Sequence, residues 1–385
     1  MKIAMLTSVG GGCGIAAYTA ALVDGLRTLP DTEVVVVPIS VGRQPIQHYV
    51  TQAELLNAAD IDIVHIQHEH SFWGGIMPRA SAFWEMRYLI KKPVVLTAHT
   101  TYSLEHMLRV ETEKRIHKLL VKKLLLRNTA YRQSVDTAPF VSAWTIVHTT
   151  AAREELMQRG VNGSYISVVP TGVPPALPSL DGGTAFRKKY NLEGCRIVTL
   201  FGYMAPNKGY ELTFKILPEL PSDVKVVIAG GPRTSDMEPY AADIKRQSEE
   251  PSIKGRVVIT GFLPDSDVPD AMAASDLVLT PHTEATGSYS VMLPITHGRP
   301  ILASTMDCFK EIYDRSGCLA LFKAGDAAEY SKAVNRLLDS PEERAVLAQK
   351  AQKYADRFAW PRVASAMRRI YESAIEVYSN GHHAH

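Results

Sequence analysis

The stretch Pro281–Pro300, PHTEATGSYSVMLPITHGRP, decides the fold of this chain. The runs before and after it, DLVLT at 276–280 and PILA at 300–303, have the composition of buried strands. Between them, small residues at 286–288 precede an apolar segment that GRP ends at 298–300, which predicts a turn and a helix. Such a unit places free N–H groups at the carboxyl end of a sheet, where a phosphate can bind. An ordinary connection that binds nothing has the same pattern, so both interpretations stay open.

The same alternation of strand and helix extends through the chain in both directions. The predicted strands are continuously apolar, and helical stretches lie between most of them. This pattern is typical of doubly wound α/β proteins, in which helices cover both faces of a parallel sheet. From 326 to 379 the chain is predicted to be almost entirely helical. The predicted strands span 2–6, 33–38, 61–66, 93–98, 144–148, 165–169, 196–201, 224–229, 257–260, 276–280 and 300–303.

A segment without hydrophobic periodicity interrupts the alternation at 170–183 (PTGVPPALPSLDGG). It is rich in proline and then in glycine, which is typical of a linker. The chain has 385 residues, too many for one ordinary core and suitable for two. We therefore predict two Rossmann-like domains, over 1–175 and 184–361, with a cleft between their loop ends.

Composition and charge exclude several classes of protein. The formal net charge is +2 and 46% of the residues are hydrophobic, so nothing global requires nucleic acid. Four scattered cysteines lack metal-ligand or redox spacing, which is typical of a reducing compartment. The sequence has no apolar run of about 18 residues, and its N-terminal apolar run is too short for a signal peptide. A cytoplasmic protein is therefore expected.

A glycine loop, GGGCG at 10–14, follows the first predicted strand. Glycines such as Gly12 and Gly14 let the backbone approach a phosphate or a sugar closely. A nicotinamide dinucleotide is not expected, because the second strand ends in PIS at 38–40 without an acidic residue to hold a ribose. A tight turn without a ligand remains the alternative.

Histidines and one glutamate follow three successive predicted strands. His68, Glu69 and His70 follow the third strand, His99 the fourth and His148 the fifth. The carboxyl ends of parallel strands lie at one edge of the sheet, where ligands bind in this class. We therefore predict one polar wall of a binding site, although a single such residue is more often a structural hydrogen-bonding group. No metal is predicted, because no HExxH motif or compact carboxylate set accompanies them.

Two short motifs in the second half carry charge. Lys208 lies beside Gly209 at a predicted helix start, in FGYMAPNKG at 201–209, and such a lysine can clamp a phosphate. A solvated surface lysine is the alternative. The DSD at 265–267 has the pattern of a metal-binding DxD, but its place before a short helix favours an N-terminal cap.

A basic stretch, KRIHKLLVKKLLLR at 114–127, lies in the first half. It mixes leucines with lysines and could lie on an anionic membrane or hold an anionic acceptor. A core-facing helix with a solvated basic face is at least as good an interpretation.

Together these motifs resemble a retaining glycosyltransferase of family 4 with the GT-B fold, over nearly the whole chain. Individually they are weak, but they occur in the order and spacing of that family. The segments that carry the resemblance are GGCGIAAYT (11–19), VHIQHEH (64–70), LTAHT (96–100), IVHTTAAREEL (146–156), VVPTGV (168–173), LFGYMAPNKGYEL (200–212), VVIAGG (226–231), VVITGFLP (257–264), AASDLVLTP (273–281), HGRPILAS (297–304) and RFAWPRVASAMRRIYE (357–372).

The resemblance implies transfer of a hexose, with retention of configuration, from a nucleotide-diphosphate sugar to a hydroxyl acceptor in glycan, polysaccharide or glycolipid synthesis. A UDP-sugar such as UDP-glucose is favoured and GDP-mannose is the other candidate. No cofactor is obligatory. The first domain would bind the acceptor and would be joined by the final helix, 362–380. The second domain would bind the donor.

The resemblance also implies roles for particular residues. His99 would face the donor sugar, Glu284 would bind its hydroxyls and Lys208 would hold the diphosphate, so these three are the implied catalytic residues. His68, Glu69, His70 and His148 would lie on the acceptor side. The implied donor-binding residues are Gly12, Gly14, Tyr203, Lys208, Thr260, Gly261, Phe262, Glu284, Gly287, Ser288, Tyr289 and Ser290.

Two departures from the family pattern leave alternatives open. Tyr203 stands where the family has an arginine, and its two glutamates fall on Ala285 and Leu293, so that Glu284 serves as the first only with a one-residue shift. A nucleotide-sugar epimerase of the same shape is one alternative, and a sugar-nucleotide binding module with weak catalysis is another. Nucleic acid is not an expected partner. Peripheral contact of the segment 114–127 with the inner face of the membrane is one of the interpretations of that basic stretch.

Overall fold

A computed structural model describes residues 1–9, 14–75, 82–101, 120–121, 124, 128, 144–232, 234–285 and 291–381. The chain forms two compact units. The first comprises Met1–Gly172 with Trp360–His385, and the second comprises Val173–Ala359. From Val173 onward, the segment predicted as a linker belongs to the second unit.

The first unit contains a six-stranded sheet in the order β2-β1-β3-β4-β5-β6, with every neighbouring pair parallel. The strands are β1 (Lys2–Thr7), β2 (Glu33–Pro38), β3 (Ile63–His68), β4 (Val94–Ala98), β5 (Trp144–Val147) and β6 (Ile166–Val168). The described helices between them are α1 (Gly14–Arg27), α2 (Ile46–Ala58), α3 (Phe83–Arg87) and α4 (Thr150–Gln158).

Strand alternation gives the two faces of the first sheet different chemistry. Val64 and Ile66 of β3 lie in an apolar core with Tyr49 of α2 and Phe83 of α3. Successive side chains of a strand point to opposite faces. His65, which lies between them, therefore points to the other face, where it forms a polar layer with Gln67 and Thr97.

The second unit contains another fully parallel six-stranded sheet, in the order β12-β11-β10-β7-β8-β9. The strands are β7 (Arg196–Phe201), β8 (Val224–Ala229), β9 (Val257–Gly261), β10 (Leu277–Thr280), β11 (Ile301–Ser304) and β12 (Leu319–Phe322). The described helices are α5 (Thr184–Lys189), α6 (Tyr210–Ile216), α7 (Glu238–Ser248), α8 (Val268–Ala274), α9 (Met292–Thr296), α10 (Asp307–Ser316), α11 (Ala327–Asp339) and α12 (Pro341–Arg357). The doubly wound prediction is thus confirmed in both halves.

The final helix, α13 (Trp360–Ser379), belongs to the first unit. It packs closely on α1, because Gly25 has no side chain there. A Cβ at Gly25 would lie 3.1 Å from the Trp360 carbonyl oxygen and 3.1 Å from the Ala364 Cβ. No helix in the described part of the chain is long and apolar enough to cross a membrane.

The sequence prediction missed one strand and misplaced another. β12 was not predicted, although Gly317, with φ of 61°, ends α10 just before its apolar residues. β3 begins two residues later than predicted. The Ile61 amide bonds to the Ala59 carbonyl (2.9 Å) instead of to a strand, and the register with β1 starts at Ile63, opposite Ile3.

Candidate functional site

The predicted polar wall of the first unit divides between its exposed edge and its interior. Glu69, His99 and His148 are half-buried at the carboxyl ends of the strands, whereas His68 and His70 are buried. The parallel register places His68 beside Ala98, and the His99 amide donates to the His68 carbonyl (3.1 Å). Three strand ends therefore meet at one edge, as the sequence predicted.

His68 itself faces the apolar core, which corrects the prediction that it lies on an exposed wall. Its ring contacts the rings of Phe83 and His70, each with a centroid distance of 5.1 Å. Burial, with a smaller contribution from His70, holds the pKa of His68 well below its usual range. The cause is that β3 continues two residues past its predicted end and pairs with β4 as far as His68, which puts His68 on the same face as Ile66.

Glu69 ties together the two loops that follow β3 and β4. Its carboxylate accepts a hydrogen bond from the His70 amide (3.1 Å) and another from the Thr100 hydroxyl. This carboxylate thus fixes the backbone around His99.

The polar layer of the first sheet is a continuous chain of hydrogen bonds. His65 contacts the Tyr371 hydroxyl through Nδ1 (2.7 Å) and the Thr97 hydroxyl through Nε2 (2.8 Å). Beside it, the Gln67 side-chain amide is 2.8 Å from His99 Nε2, and His99 Nδ1 is 3.3 Å from His148 Nε2. Burial lowers the pKa of all three histidines, that of His65 to about 3, so neutral imidazoles are favoured.

Two acceptor oxygens determine which ring nitrogens of His148 and His99 carry protons. The Val169 carbonyl lies 3.0 Å from His148 Nδ1 and can only accept, so Nδ1 donates and Nε2 of His148 is bare. The Gln67 side-chain oxygen lies 2.8 Å from His99 Nε2 and also can only accept, so Nε2 donates and Nδ1 of His99 is bare. The proton of His99 therefore lies on the nitrogen that faces Gln67.

Aromatic rings enclose this pair of histidines. The ring of Tyr18, on α1, lies 4.9 Å from that of His99, 5.1 Å from that of His148 and 5.0 Å from that of Trp360. Neither Tyr18 nor Trp360 is among the residues predicted for the site. Their only sequence signal is helical periodicity, which indicates burial but not which residues a ring contacts.

In the second unit, Lys208 lies at the carboxyl end of β7 in a one-turn 3-10 helix, Pro206–Lys208. Gly209 follows with φ of 75°, and a Cβ there would lie 2.1 Å from the Pro281 carbonyl oxygen, so only glycine fits. Lys208 Nζ donates to His282 Nε2 at 2.9 Å. Lys208 is half-buried, and desolvation lowers its pKa to about 8.

His282 is the residue of this site that sequence reasoning missed. It is buried, and burial together with the Lys208 charge lowers its pKa to about 3. The signal was available, because His282 follows β10 as His99 follows β4.

Asn207 connects Lys208 to the loop after β10. Its carbonyl accepts from the Thr283 amide (3.0 Å), and its side-chain amide donates to the Glu284 carbonyl (2.9 Å). The Glu284 side chain is exposed. The structure therefore fixes the backbone at this glutamate and leaves its carboxylate in solvent.

Backbone lines the neighbouring strand ends β7, β8 and β9. A Cβ at Gly230 would lie 1.9 Å from the Gly202 carbonyl oxygen, and Gly261 has φ of 70°. The ring of Phe262, 57% exposed, lies 5.6 Å from that of Tyr203. The Thr260 hydroxyl donates to the Gly261 carbonyl (2.8 Å). An exposed Phe262 ring and a half-buried Tyr203 ring therefore lie beside backbone without side chains at Gly230 and Gly261.

Several predicted site residues lie outside the described residues. They are Gly12, Gly287, Ser288, Tyr289, Ser290 and most of the basic stretch 114–127. Gly14 is described and begins α1, and a Cβ there would meet nothing within 4 Å.

The described residues contain no group of three or more His, Cys, Asp or Glu side chains that could hold a metal ion. Asp267, of the DSD motif, occupies the cap position of α8, but its side chain makes no cap hydrogen bond. It pairs with Lys189 at 3.2 Å instead. The predicted capping role was wrong, because the backbone of Asp267 is helical (φ of −90°, ψ of −15°) where a capping side chain requires extended backbone.

Two protein families match this chain, one over each half of the sequence. Residues 14–177 match the family described as "Glycosyltransferase Family 4", and residues 184–354 match "Glycosyl transferases group 1". The fold and these matches define a glycosyltransferase of the GT-B class. The chain belongs to glycosyltransferase family 4, which confirms the resemblance seen in the sequence.

Individual relatives are distant. A D-inositol 3-phosphate glycosyltransferase of Corynebacterium glutamicum is 23% identical over 76% of this chain and 69% of its own length. A phosphatidyl-myo-inositol mannosyltransferase of Mycolicibacterium smegmatis is 26% identical over 55% of this chain, which spans only 53% of that relative. HepE of Anabaena, solved with UDP and glucose, is 16% identical and has a TM-score of 0.74 over 97% of this chain and 100% of its own. That likeness concerns the fold.

Proposed function

We propose that this glycosyltransferase moves a hexose from a nucleotide-diphosphate sugar to a hydroxyl acceptor with retention of configuration, in the synthesis of a glycan, polysaccharide or glycolipid. The observation that carries the proposal is the partly desolvated ammonium of Lys208 at the carboxyl ends of the second sheet, beside the glycine-lined strand ends. A cation in that setting attracts a diphosphate more strongly than a solvated lysine does. The relative solved with UDP and glucose supports a UDP-sugar as the donor.

Each part of the donor has a counterpart in the second unit. The exposed ring of Phe262, with Thr260, Gly261 and Tyr203, would border the base. Lys208 would hold the diphosphate, together with the backbone at 287–289, and Glu284 would bind sugar hydroxyls with its exposed carboxylate. Negative charge on the departing diphosphate then develops where a cation already points, which is electrostatic catalysis. No metal or cofactor is obligatory in this proposal.

In the first unit we assign the substrate-facing role to Glu69, His99 and His148. His99 would orient a sugar hydroxyl with Nε2, which carries a proton and can donate a hydrogen bond to the sugar once the Gln67 amide moves aside. The leaving phosphate would take the acceptor proton, so no protein base is required. Retention of configuration is compatible with this front-face route.

The basic stretch 114–127 would contact anionic lipid. Its described members Leu120, Val121 and Leu124 are 64%, 58% and 67% exposed, and lysines lie between them in the sequence. The name of one relative, a phosphatidyl-myo-inositol mannosyltransferase, includes a lipid. Sedimentation with vesicles of phosphatidylglycerol or phosphatidylcholine tests this, since equal partition to both would contradict it.

The donor proposal is tested by calorimetric titration with UDP, GDP and ADP, without and then with magnesium. We expect micromolar binding of one diphosphate without magnesium. Lys208→Ala should lower turnover of the matching sugar donor by about 10²–10³-fold, because a charged group that meets the leaving group is lost. Lys215→Ala, an exposed lysine on α6, is the matched control and should have no effect.

Three outcomes would contradict the proposal. Absence of binding by any diphosphate would remove the donor site. Donor conversion without an acceptor would identify an epimerase. Tight binding without transfer to any acceptor would identify a binding module.

A further inference from the structure

His282 has no place in the proposed function, yet the structure holds it firmly against Lys208. It is 4% exposed, and its ring lies edge-on to that of Phe309 with a centroid distance of 5.3 Å. Its carbonyl accepts a hydrogen bond from the Ser304 hydroxyl (2.7 Å), which anchors the backbone to the end of β11. The imidazole is therefore held in place independently of Lys208.

The hydrogen bond between the two residues has only one possible direction when Lys208 is charged. An ammonium has three donors and no acceptor, so Nζ donates across the 2.9 Å contact and His282 Nε2 accepts. The histidine is then neutral, with its proton on Nδ1. The pair carries a single positive charge, and that charge lies on Lys208.

We propose that His282 is a positioning residue that aims the Lys208 ammonium and keeps it charged at neutral pH. The inference rests on the proposed function, in which Lys208 holds the donor diphosphate. A buried ammonium without an acceptor would lose its proton more readily, because desolvation disfavours the charged form. His282 opposes that loss by accepting a hydrogen bond only from the protonated amine.

Among the described residues, no carboxylate forms an ion pair with the Lys208 ammonium. The carboxylates of α10 are not available to it: Asp307 pairs with Lys310 (2.6 Å), Glu311 pairs with Arg315 (2.5 Å), and Asp314 is exposed. Glu211 of α6 accepts from the Tyr240 hydroxyl (2.9 Å). Cys308 of α10 is the titratable side chain whose charge acts on Lys208.

Cys308 raises the pKa of Lys208 only in part, against the larger effect of burial. Burial raises the pKa of the Cys308 thiol itself to about 12, so the thiol is neutral under ordinary conditions. His282 is thus the hydrogen-bond acceptor on which the charge of Lys208 depends.

Two substitutions separate this role from simple packing. His282→Leu fills much of the space and removes the acceptor. His282→Gln removes the ring but retains an acceptor oxygen at a similar reach. Both substitutions change the packing against Phe309. A loss of Lys208 charge or of UDP affinity that occurs in His282→Leu and not in His282→Gln therefore reports on the lost hydrogen-bond acceptor.

The first measurement uses the full-length protein without nucleotide. The rate at which acetic anhydride modifies Lys208, followed by peptide mass spectrometry across pH, reports the fraction of neutral amine. We expect a midpoint near pH 8 for the wild type and His282→Gln, and a midpoint at least one pH unit lower for His282→Leu. The same midpoint in all three proteins would overturn the inference.

The second measurement is UDP affinity across pH for the same proteins, with thermal unfolding to confirm that each is folded. At pH 8 we expect His282→Leu to bind UDP about tenfold more weakly than wild type, and at pH 6 within about threefold, because acid restores the Lys208 charge. A loss independent of pH would indicate a structural role and overturn the inference. Failure of the wild type to bind any nucleotide would instead remove the proposed function, and the modification midpoints would still decide the role of His282.

Discussion

The carboxyl ends of the two sheets are built from different groups. In the first unit imidazoles, an amide and hydroxyls fill the edge, and each of the three histidines His65, His99 and His148 has protein polar atoms close to both ring nitrogens. In the second unit the described part of the edge is largely backbone, with close approaches at Gly209 and Gly230 and the cation of Lys208.

The difference shows how the same sheet architecture can offer two kinds of binding surface. The edge of the first unit, here called the side-chain edge, has polar groups such as His99 that already contact protein, so a ligand must displace an existing hydrogen bond. The edge of the second unit, here called the backbone edge, has few side chains and offers free space and backbone N–H groups. Such a surface suits a large anionic ligand such as a nucleotide diphosphate. The first edge should therefore be sensitive to protonation and the second to added volume.

The largest expected effect is on the backbone edge. Gly230→Ala places a methyl group 1.9 Å from the Gly202 carbonyl oxygen and should destabilise the second unit by about 3 kcal/mol. Gly255→Ala, where φ is 73° and a Cβ meets nothing within 4 Å, isolates the backbone effect and should be milder, about 1 kcal/mol.

The four tryptophans allow the two units to be followed separately in the whole chain. Trp73, Trp84, Trp144 and Trp360 all belong to the first unit. Denaturation of Gly230→Ala should therefore lower the circular-dichroism midpoint while the tryptophan-fluorescence midpoint stays unchanged. Equal shifts in both signals would show that the edges are not independent.

The next effect is the acid sensitivity of the side-chain edge. His65 has a folded pKa of about 3 against an ordinary 6.5, so its contribution to stability is complete above pH 6.5 and is lost as pH falls below that value. Between pH 7 and pH 5 this one residue removes about 2 kcal/mol. His68, His99 and His148 act in the same direction.

Tryptophan fluorescence at pH 7 and pH 5 measures this loss in the first unit. In the described part of the second unit the histidines with lowered pKa values are His282 and, less deeply buried, His297, so its midpoint should fall less between pH 7 and pH 5. His65→Gln should recover about 2 kcal/mol of the acid-induced loss. If both units lost equal stability, the contrast between the edges would be wrong.

The smallest expected effect concerns the metal interpretation of the DSD motif. Asp267 pairs with Lys189 on the surface, so Asp267→Asn should leave UDP affinity within about twofold of wild type, with and without magnesium. If UDP affinity depended on magnesium in the wild type and lost that dependence in Asp267→Asn, the metal interpretation would be supported. A metal ligand would then have to be added to the description of the second sheet's edge.

Sequence reasoning succeeded where the signal was local. The continuous apolar runs located most strands, and the positions after them located His99 and Lys208. It failed where the answer depended on pairing partners. β12 was missed, and His68 was placed in the loop at the sheet edge because its pairing with Ala98 of β4, which extends β3 to His68, cannot be read from either local sequence.

The sequence by itself determined the architecture and the family of this protein. Strand runs, glycine turns and their order depend on neighbouring residues, which a sequence records directly. Only the tertiary structure decided which histidines are buried, that the Gln67 side-chain oxygen sets the tautomer of His99, and that His282 meets Lys208. Lys208 and His282 are 74 residues apart in the chain. Their contact arises because β7 and β10 are neighbours in the sheet, a fact that follows from packing and not from either local sequence.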